Sequence, residues 1–231
     1  WAGTKQYSWT DVTLCVPAGA TVGVIGGTGS GKTTLVSLLP RLYDAGEGSV
    51  RVFGHDVREY PVRALRALIG TVPQNTALFS GTVRSNLCWG NEGATDAELE
   101  EALRAACAYD FVAEKGGLDQ KVTEGGKNFS GGQRQRLTIA RALAARPRIL
   151  VLDDSCSALD FRTDAQVRAN IAALEDVTTV IISQRAASLQ NADVIYVLED
   201  GRVVGSGTHA QLYEGCPLYR EICDSQARAE E

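Results

Sequence analysis

Gly26-Gly27-Thr28-Gly29-Ser30-Gly31-Lys32-Thr33 decides how this chain is read, because of what stands on either side of it. The apolar run Val22-Gly23-Val24-Ile25 precedes it and a leucine-rich stretch over residues 35–42 follows, so it joins a buried strand to a helix. Glycines let the backbone wrap tightly and turn several N–H groups inward, while the helix N-terminus adds about half a positive charge. Lys32 is spaced to reach β- and γ-phosphates, and the Thr33 hydroxyl can help hold Mg²⁺, with Thr34 beside it as a further binding position. The expected ligand is a nucleoside triphosphate.

A second element of the same chemistry lies at Ile149-Leu150-Val151-Leu152-Asp153-Asp154, an apolar strand ending in two carboxylates. At the carboxyl end of a strand beside a phosphate loop, Asp153 is placed to hold Mg²⁺ directly or through water. A third is Asn128-Phe129-Ser130-Gly131-Gly132-Gln133, ahead of a helix expected over residues 134–145. Ser130 reads as its N-cap, and Gly131 and Gly132 expose N–H groups at its positive end. That is a second anion site, about a hundred residues from the first and without a lysine.

The rest of the chain supplies the scaffold. Val12, Leu14 and Val16 alternate with polar or small residues, as in a half-buried strand, and residues 49–53 and 69–72 read as short strands. Residues 75–146 turn mostly helical, with Thr95-Asp96-Ala97-Glu98 as a helix start and Lys115-Gly116-Gly117 as a break. Apolar runs at 149–152, 179–182 and 194–198, separated by helical stretches, carry the rhythm of βαβ units around a parallel sheet. Asp200-Gly201 predicts a hairpin, and the polar tail after Tyr219 is expected to fray.

Composition narrows the function. At 231 residues with 44% hydrophobic and 22% charged residues, the chain has room for one well-cored domain. A net charge of −5 argues against a nucleic-acid surface, and no apolar run is long enough to span a bilayer. Six scattered cysteines without a C-x-x-C pair favour reduced thiols, and the two histidines, His55 and His209, far apart in sequence, read as ordinary surface or turn residues, since a metal site needs more ligands. The start at Trp1 without a Met reads as a piece of a longer chain, with membrane-spanning segments expected upstream.

Ser-Gly-Gly-Gln between a phosphate loop and an Asp-terminated strand resembles the nucleotide-binding domain of ATP-binding-cassette (ABC) transporters, over essentially the whole chain. The resemblance implies an α/β P-loop NTPase (RecA-like) core with a mostly parallel sheet, an N-terminal antiparallel β subdomain and an inserted helical subdomain at about 75–146. Gln74 then matches the Q-loop glutamine, which also contacts the metal, and Ser157-Ala158-Leu159-Asp160 matches the D-loop. Trp1 falls where the family stacks an aromatic ring on adenine. Leu78-Phe79-Ser80-Gly81 with Thr82-Val83-Arg84-Ser85-Asn86-Leu87, and Glu124, resemble the exporter pattern. The resemblance further implies a head-to-tail pair of such domains. Each ATP would lie between one chain's phosphate loop and the partner's Ser130-Gly131-Gly132-Gln133.

Two positions depart from that pattern. The family's catalytic glutamate position holds Asp154, one methylene shorter, and its switch histidine position holds Gln184, which cannot carry a positive charge. Together they resemble the degenerate half of a heterodimeric bacterial exporter, with slow hydrolysis at its own site and an intact signature serving its partner. A nearly non-hydrolysing, nucleotide-gated interaction module is the alternative. A chromosome-maintenance ATPase is disfavoured because the middle of the chain has no sustained heptads.

Overall fold

The computed structural model describes residues 9–75, 77–155 and 158–230. Its strands are β1 (Thr21–Gly26), β2 (Arg51–Val52), β3 (His55–Asp56), β4 (Ile69–Val72), β5 (Gly81–Thr82), β6 (Lys121–Val122), β7 (Ile149–Asp153), β8 (Thr178–Ile182), β9 (Val194–Glu199) and β10 (Arg202–Gly207). Its helices are α1 (Lys32–Ser37), α2 (Val62–Ala67), α3 (Val83–Leu87), α4 (Asp96–Ala105), α5 (Tyr109–Glu114), α6 (Gly131–Ala144), α7 (Phe161–Ala172), α8 (His209–Gly215) and α9 (Pro217–Glu230).

The strands rich in Val, Ile and Leu assemble one six-stranded sheet in the order β10-β9-β1-β8-β7-β4. Five strands run parallel, and β10 is antiparallel to β9. Burial on both faces explains the unbroken apolar runs: β7 and β8 have every residue buried. Side chains alternate between two cores. Ile25, Leu150, Leu152, Ile181 and Val197 meet α4, α6 and α7 on one side. Val24, Val151, Val180, Ile182 and Leu198 meet Val36 of α1 and Leu65 of α2 on the other. Each fully buried Leu or Ile contributes about 1.5–3 kcal/mol, so the two layers hold the sheet's carboxyl edge rigid. The phosphate loop, Asp153 and residue 184 all sit at that edge.

Helix starts follow from capping chemistry. Thr82, Thr95, Ser130 and Thr208 each accept from the backbone three residues on, and the third residue's side chain reaches back. Gly116 adopts φ 119 and ends the stretch after α5. The Asp200-Gly201 turn has φ 45 and 74, the two positive values a tight hairpin needs.

Five local expectations are corrected. Residues 12–16 join no strand ladder among the described residues; instead the Tyr196 hydroxyl accepts from Cys15 N–H at 3.0 Å and donates to Cys15 C=O at 2.9 Å. A single side chain does there what a partner strand would do. The strand expected over 49–53 shrinks to β2, because Phe53 and Gly54 take φ 49 and 84 and turn the chain into β3. Regular helix after the phosphate loop stops at Ser37, and α6 begins three residues earlier than expected, at Gly131. The tail does not fray: α9 runs to Glu230, with Tyr219 fully buried. Cys15, Cys88, Cys107, Cys216 and Cys223 are unpaired thiols, and Cys156 lies outside the described residues.

Candidate nucleotide site

The loop 26–31 owes its shape to its glycines. A Cβ on Gly26 would lie 2.3 Å from the Leu198 carbonyl, so only glycine lets β1 pass this close to β9 at its end. Gly29 and Gly31 have φ 83 and 85, in the left-handed region. Beside Gly27 and Gly29 nothing stands within 4 Å of where a Cβ would be, so the loop has an open side for a ligand. Trp9 closes another side: a Cβ on Gly31 would come 2.7 Å from its ring. This buttress was not singled out from sequence, where Trp9 is one more large residue ahead of an alternating segment.

Lys32 is buried, and its ammonium donates to Gly26 C=O at 2.7 Å, Gly27 C=O at 2.8 Å and Ser30 Oγ at 3.1 Å. Burial pushes its pKa down, opposed by the charges of Asp154 and Asp153. A cation so shielded from water gains much from an anion in the loop. One residue on, the Thr33 hydroxyl donates to the Asp153 carboxylate at 3.1 Å, tying α1 to the end of β7. A hydroxyl and a carboxylate at one point fit Mg²⁺, which takes few protein ligands when phosphates supply the rest. No cluster of three or more His, Cys, Asp or Glu suited to a metal occurs among the described residues.

Asp153 is buried, and desolvation raises its pKa. Between the ordinary carboxyl range and that raised value the folded chain holds a proton that the unfolded chain has lost. Its contribution to stability is therefore full at low pH and declines as pH rises through the folded value. Asp153→Asn should remove this dependence and stabilise the nucleotide-free chain by about 0.5–2 kcal/mol while weakening Mg·ATP binding. Thermal melts at several pH values with and without Mg·ATP test both halves.

The remaining candidates fall into two groups. Gln74 Nε2 donates to Asp154 Oδ2 at 3.3 Å, and Thr28 Oγ1 donates to Gln184 Oε1 at 3.5 Å, so both departing residues touch the phosphate-loop region or the Q-loop position. Asp154 takes φ 45, with its N–H on Ile182 C=O at 2.9 Å. Thr34 lies on the first turn of α1.

The second group stands apart. Ser130 and Gln133 close their cap on each other at 3.0 and 3.3 Å, and α6 packs chiefly against α3, α4 and β4. Gly132 approaches Ala158, whose N–H donates to Gln135 Oε1 at 3.2 Å, and Asp160 caps α7 through Thr163. A Cβ on Gly131 would meet nothing within 4 Å. Trp1 and Ser157 lie outside the described residues. Glu124 opens a short 3-10 turn before the signature.

The described geometry is that of a phosphate cradle with an acidic strand end behind it. A family model described as ABC transporter matches residues 9–157, more than half of the chain. The chain belongs to the ABC transporter family. It is an ATP-binding, ATPase-class domain, similar at 48% identity over 221 residues to an uncharacterized ABC transporter ATP-binding protein of Mycobacterium bovis. That match covers 94% of this chain and 38% of the relative. An ATP-dependent lipid A-core flippase of Yersinia pestis is 42% identical over 223 residues, covering 95% of this chain and 38% of the flippase. Among solved structures, a bacterial Atm1-family ABC exporter with ATP bound superposes with a TM-score of 0.88 at 39% identity, over 92% of this chain and 38% of that one. This ABC domain thus spans about two fifths of the proteins it matches. None of its described helices is long and apolar enough to cross a membrane.

Proposed function

We propose that this ABC domain, residues 1–231, is the ATP-driven motor of an exporter, acting at the cytoplasmic face of a membrane with a transmembrane domain and a second, non-identical nucleotide-binding domain. The Thr33–Asp153 hydrogen bond carries the reading. It joins the phosphate loop to the acid after the buried strand, which is where a triphosphate's metal needs oxygen ligands. Likeness to a flippase and to an exporter, each much longer than this chain, supports the transport role.

Mg·ATP would bring the scissile phosphate and a metal that offsets its charge; this chain binds, orients and desolvates. Lys32 and the loop N–H groups grip the phosphates, with Ser30 and Thr34 at its rim. Thr33, Asp153 and Gln74 hold the metal side. Trp1 stacks on adenine. Ser130, Gly131, Gly132 and Gln133, with Asp160, complete the site of the partner, consistent with α6 packing chiefly on α4 and α3. Asp154 and Gln184 make this chain's own half-site slow, since a misplacement of about an ångström can cost about a hundredfold.

Asp154 and Gln184 equally favour a second reading, a nucleotide-gated clamp with almost no turnover. Sedimentation of this chain with its partner domain, with and without Mg·ATP, tests the proposal. ATP-dependent pairing together with turnover at the partner's loop supports a motor. Pairing without turnover at either loop supports the clamp, and no ATP-dependent pairing sinks both.

A further inference from the structure

We propose that Gln226 of the C-terminal helix is a positioning residue for the nucleotide site, holding the backbone that carries residue 184. Its amide oxygen accepts from Ala186 N–H at 2.9 Å and its amide nitrogen donates to Gln184 C=O at 2.6 Å. Both ends of one side chain are spent on one loop, on the two residues flanking Arg185.

The helix is built to bring it there. Tyr219, Ile222, Cys223 and Gln226 stand at i, i+3, i+4 and i+7, a single face of α9. Tyr219 is fully buried with its hydroxyl 2.9 Å from His209 Nδ1, and Ile222 and Cys223 pack against the same core. Gln226 is the polar member of that apolar face, where a fourth apolar residue would suffice for packing. An amide placed instead of it has a polar task, and the loop after β8 supplies both partners.

That loop is held at every residue from 184 to 188. Arg185 N–H donates to Ser183 Oγ at 3.0 Å, and the Arg185 guanidinium lies 4.2 Å over the Phe161 ring. Arg168 donates to Ala187 C=O at 3.2 Å, and the Ser188 hydroxyl donates to buried Asp164 at 3.4 Å. Helix α7 fixes the far half of the loop, while α9, through Gln226, fixes the half that bears residue 184. The side chain of Gln184 then meets Thr28 of the phosphate loop at 3.5 Å. Because Gln226 grips main chain, it places whatever side chain stands at 184, glutamine or histidine alike. The role rests on the functional reading above, and it makes the chain's last helix part of the nucleotide site's support.

In the assembled pair with the partner's phosphate-loop lysine replaced, so that only this half-site is read, Gln226→Ala should lower kcat for Mg·ATP by about tenfold with KM within about twofold, since the phosphate loop that binds is untouched. Hydrogen exchange at the Ala186 amide should speed up by about tenfold with the loss of its acceptor. Gln226→Glu keeps length and acceptor but loses the donor to Gln184 C=O. It should preserve Ala186 protection while kcat falls as in the alanine variant, a split that a packing role does not produce. Faster exchange with unchanged kcat in Gln226→Ala, or unchanged Ala186 exchange, overturns the positioning role alone. A parent chain that binds no Mg·ATP overturns the functional reading and this role together, and the Ala186 exchange then still reports whether the contact exists.

Discussion

Asp154→Glu combined with Gln184→His is expected to raise ATP hydrolysis at this chain's own phosphate loop by about a hundredfold in the assembled pair. The measurement is steady-state turnover with the partner's phosphate-loop lysine replaced, so that only this half-site is read. The expectation rests on reach and on charge. The Asp154 carboxylate stops one methylene short, and its Oδ2 already accepts from Gln74 at 3.3 Å. Its backbone is fixed at φ 45 and bonded to Ile182, so it has little freedom to advance toward a bound phosphate. Glutamate supplies the missing length from the same anchored position. Gln184 offers neutral hydrogen bonds, whereas histidine can carry a proton and a charge near neutral pH. Both changes are needed, because a water activated without a stabilised γ-phosphate, or the reverse, supplies only part of the gain. Turnover that stays at the parental level contradicts the geometric account of a slow half-site.

The second large effect is on binding. Lys32→Ala should weaken Mg·ATP by about a hundredfold or more, because a charge-assisted hydrogen bond to phosphate contributes about 1.5–3 kcal/mol and more where water is excluded. Lys32 is buried, and its pKa is already pushed down by that burial, so the loop holds a cation that is poorly solvated until an anion arrives. Replacing it removes the loop's charge while leaving the strand–helix scaffold intact. The Gly26 and Gly27 carbonyls lose a donor but can turn to water on the loop's open side. Calorimetric titration of the variant checks the loss, and an affinity within a few-fold of the parent's contradicts the assignment of Lys32 to the phosphates.

What the sequence revealed and what it hid divide along physical lines. The phosphate loop, β7 with its terminal acid and the Ser130 cap were legible because each is a local code: glycines force backbone shape, unbroken apolar runs mean two-sided burial, and a capping serine announces a helix. The segment at 12–16 misled because alternation reports half-burial and says nothing about whether a neighbouring strand exists. Tyr196 fills that place with its hydroxyl, a contact across 181 positions of sequence. Helix α9 was missed for a different reason. Its composition is polar, and its core-facing side has few apolar residues, Leu218, Tyr219, Ile222 and Cys223 among them, too thin a stripe to outweigh the rest. Trp9 over Gly31 and Gln226 on the 184–186 backbone are likewise long-range contacts with no local signature. Gln184, which only the family resemblance aligns with a switch position, carries no local signal of its own.

Titration of this chain with Mg·ATP in a calorimeter tests the central claim most directly. The account predicts saturable association at one site per chain, weakened about a hundredfold or more in the Lys32→Ala variant. A folded chain that releases or takes up no heat with Mg·ATP at several temperatures would contradict it.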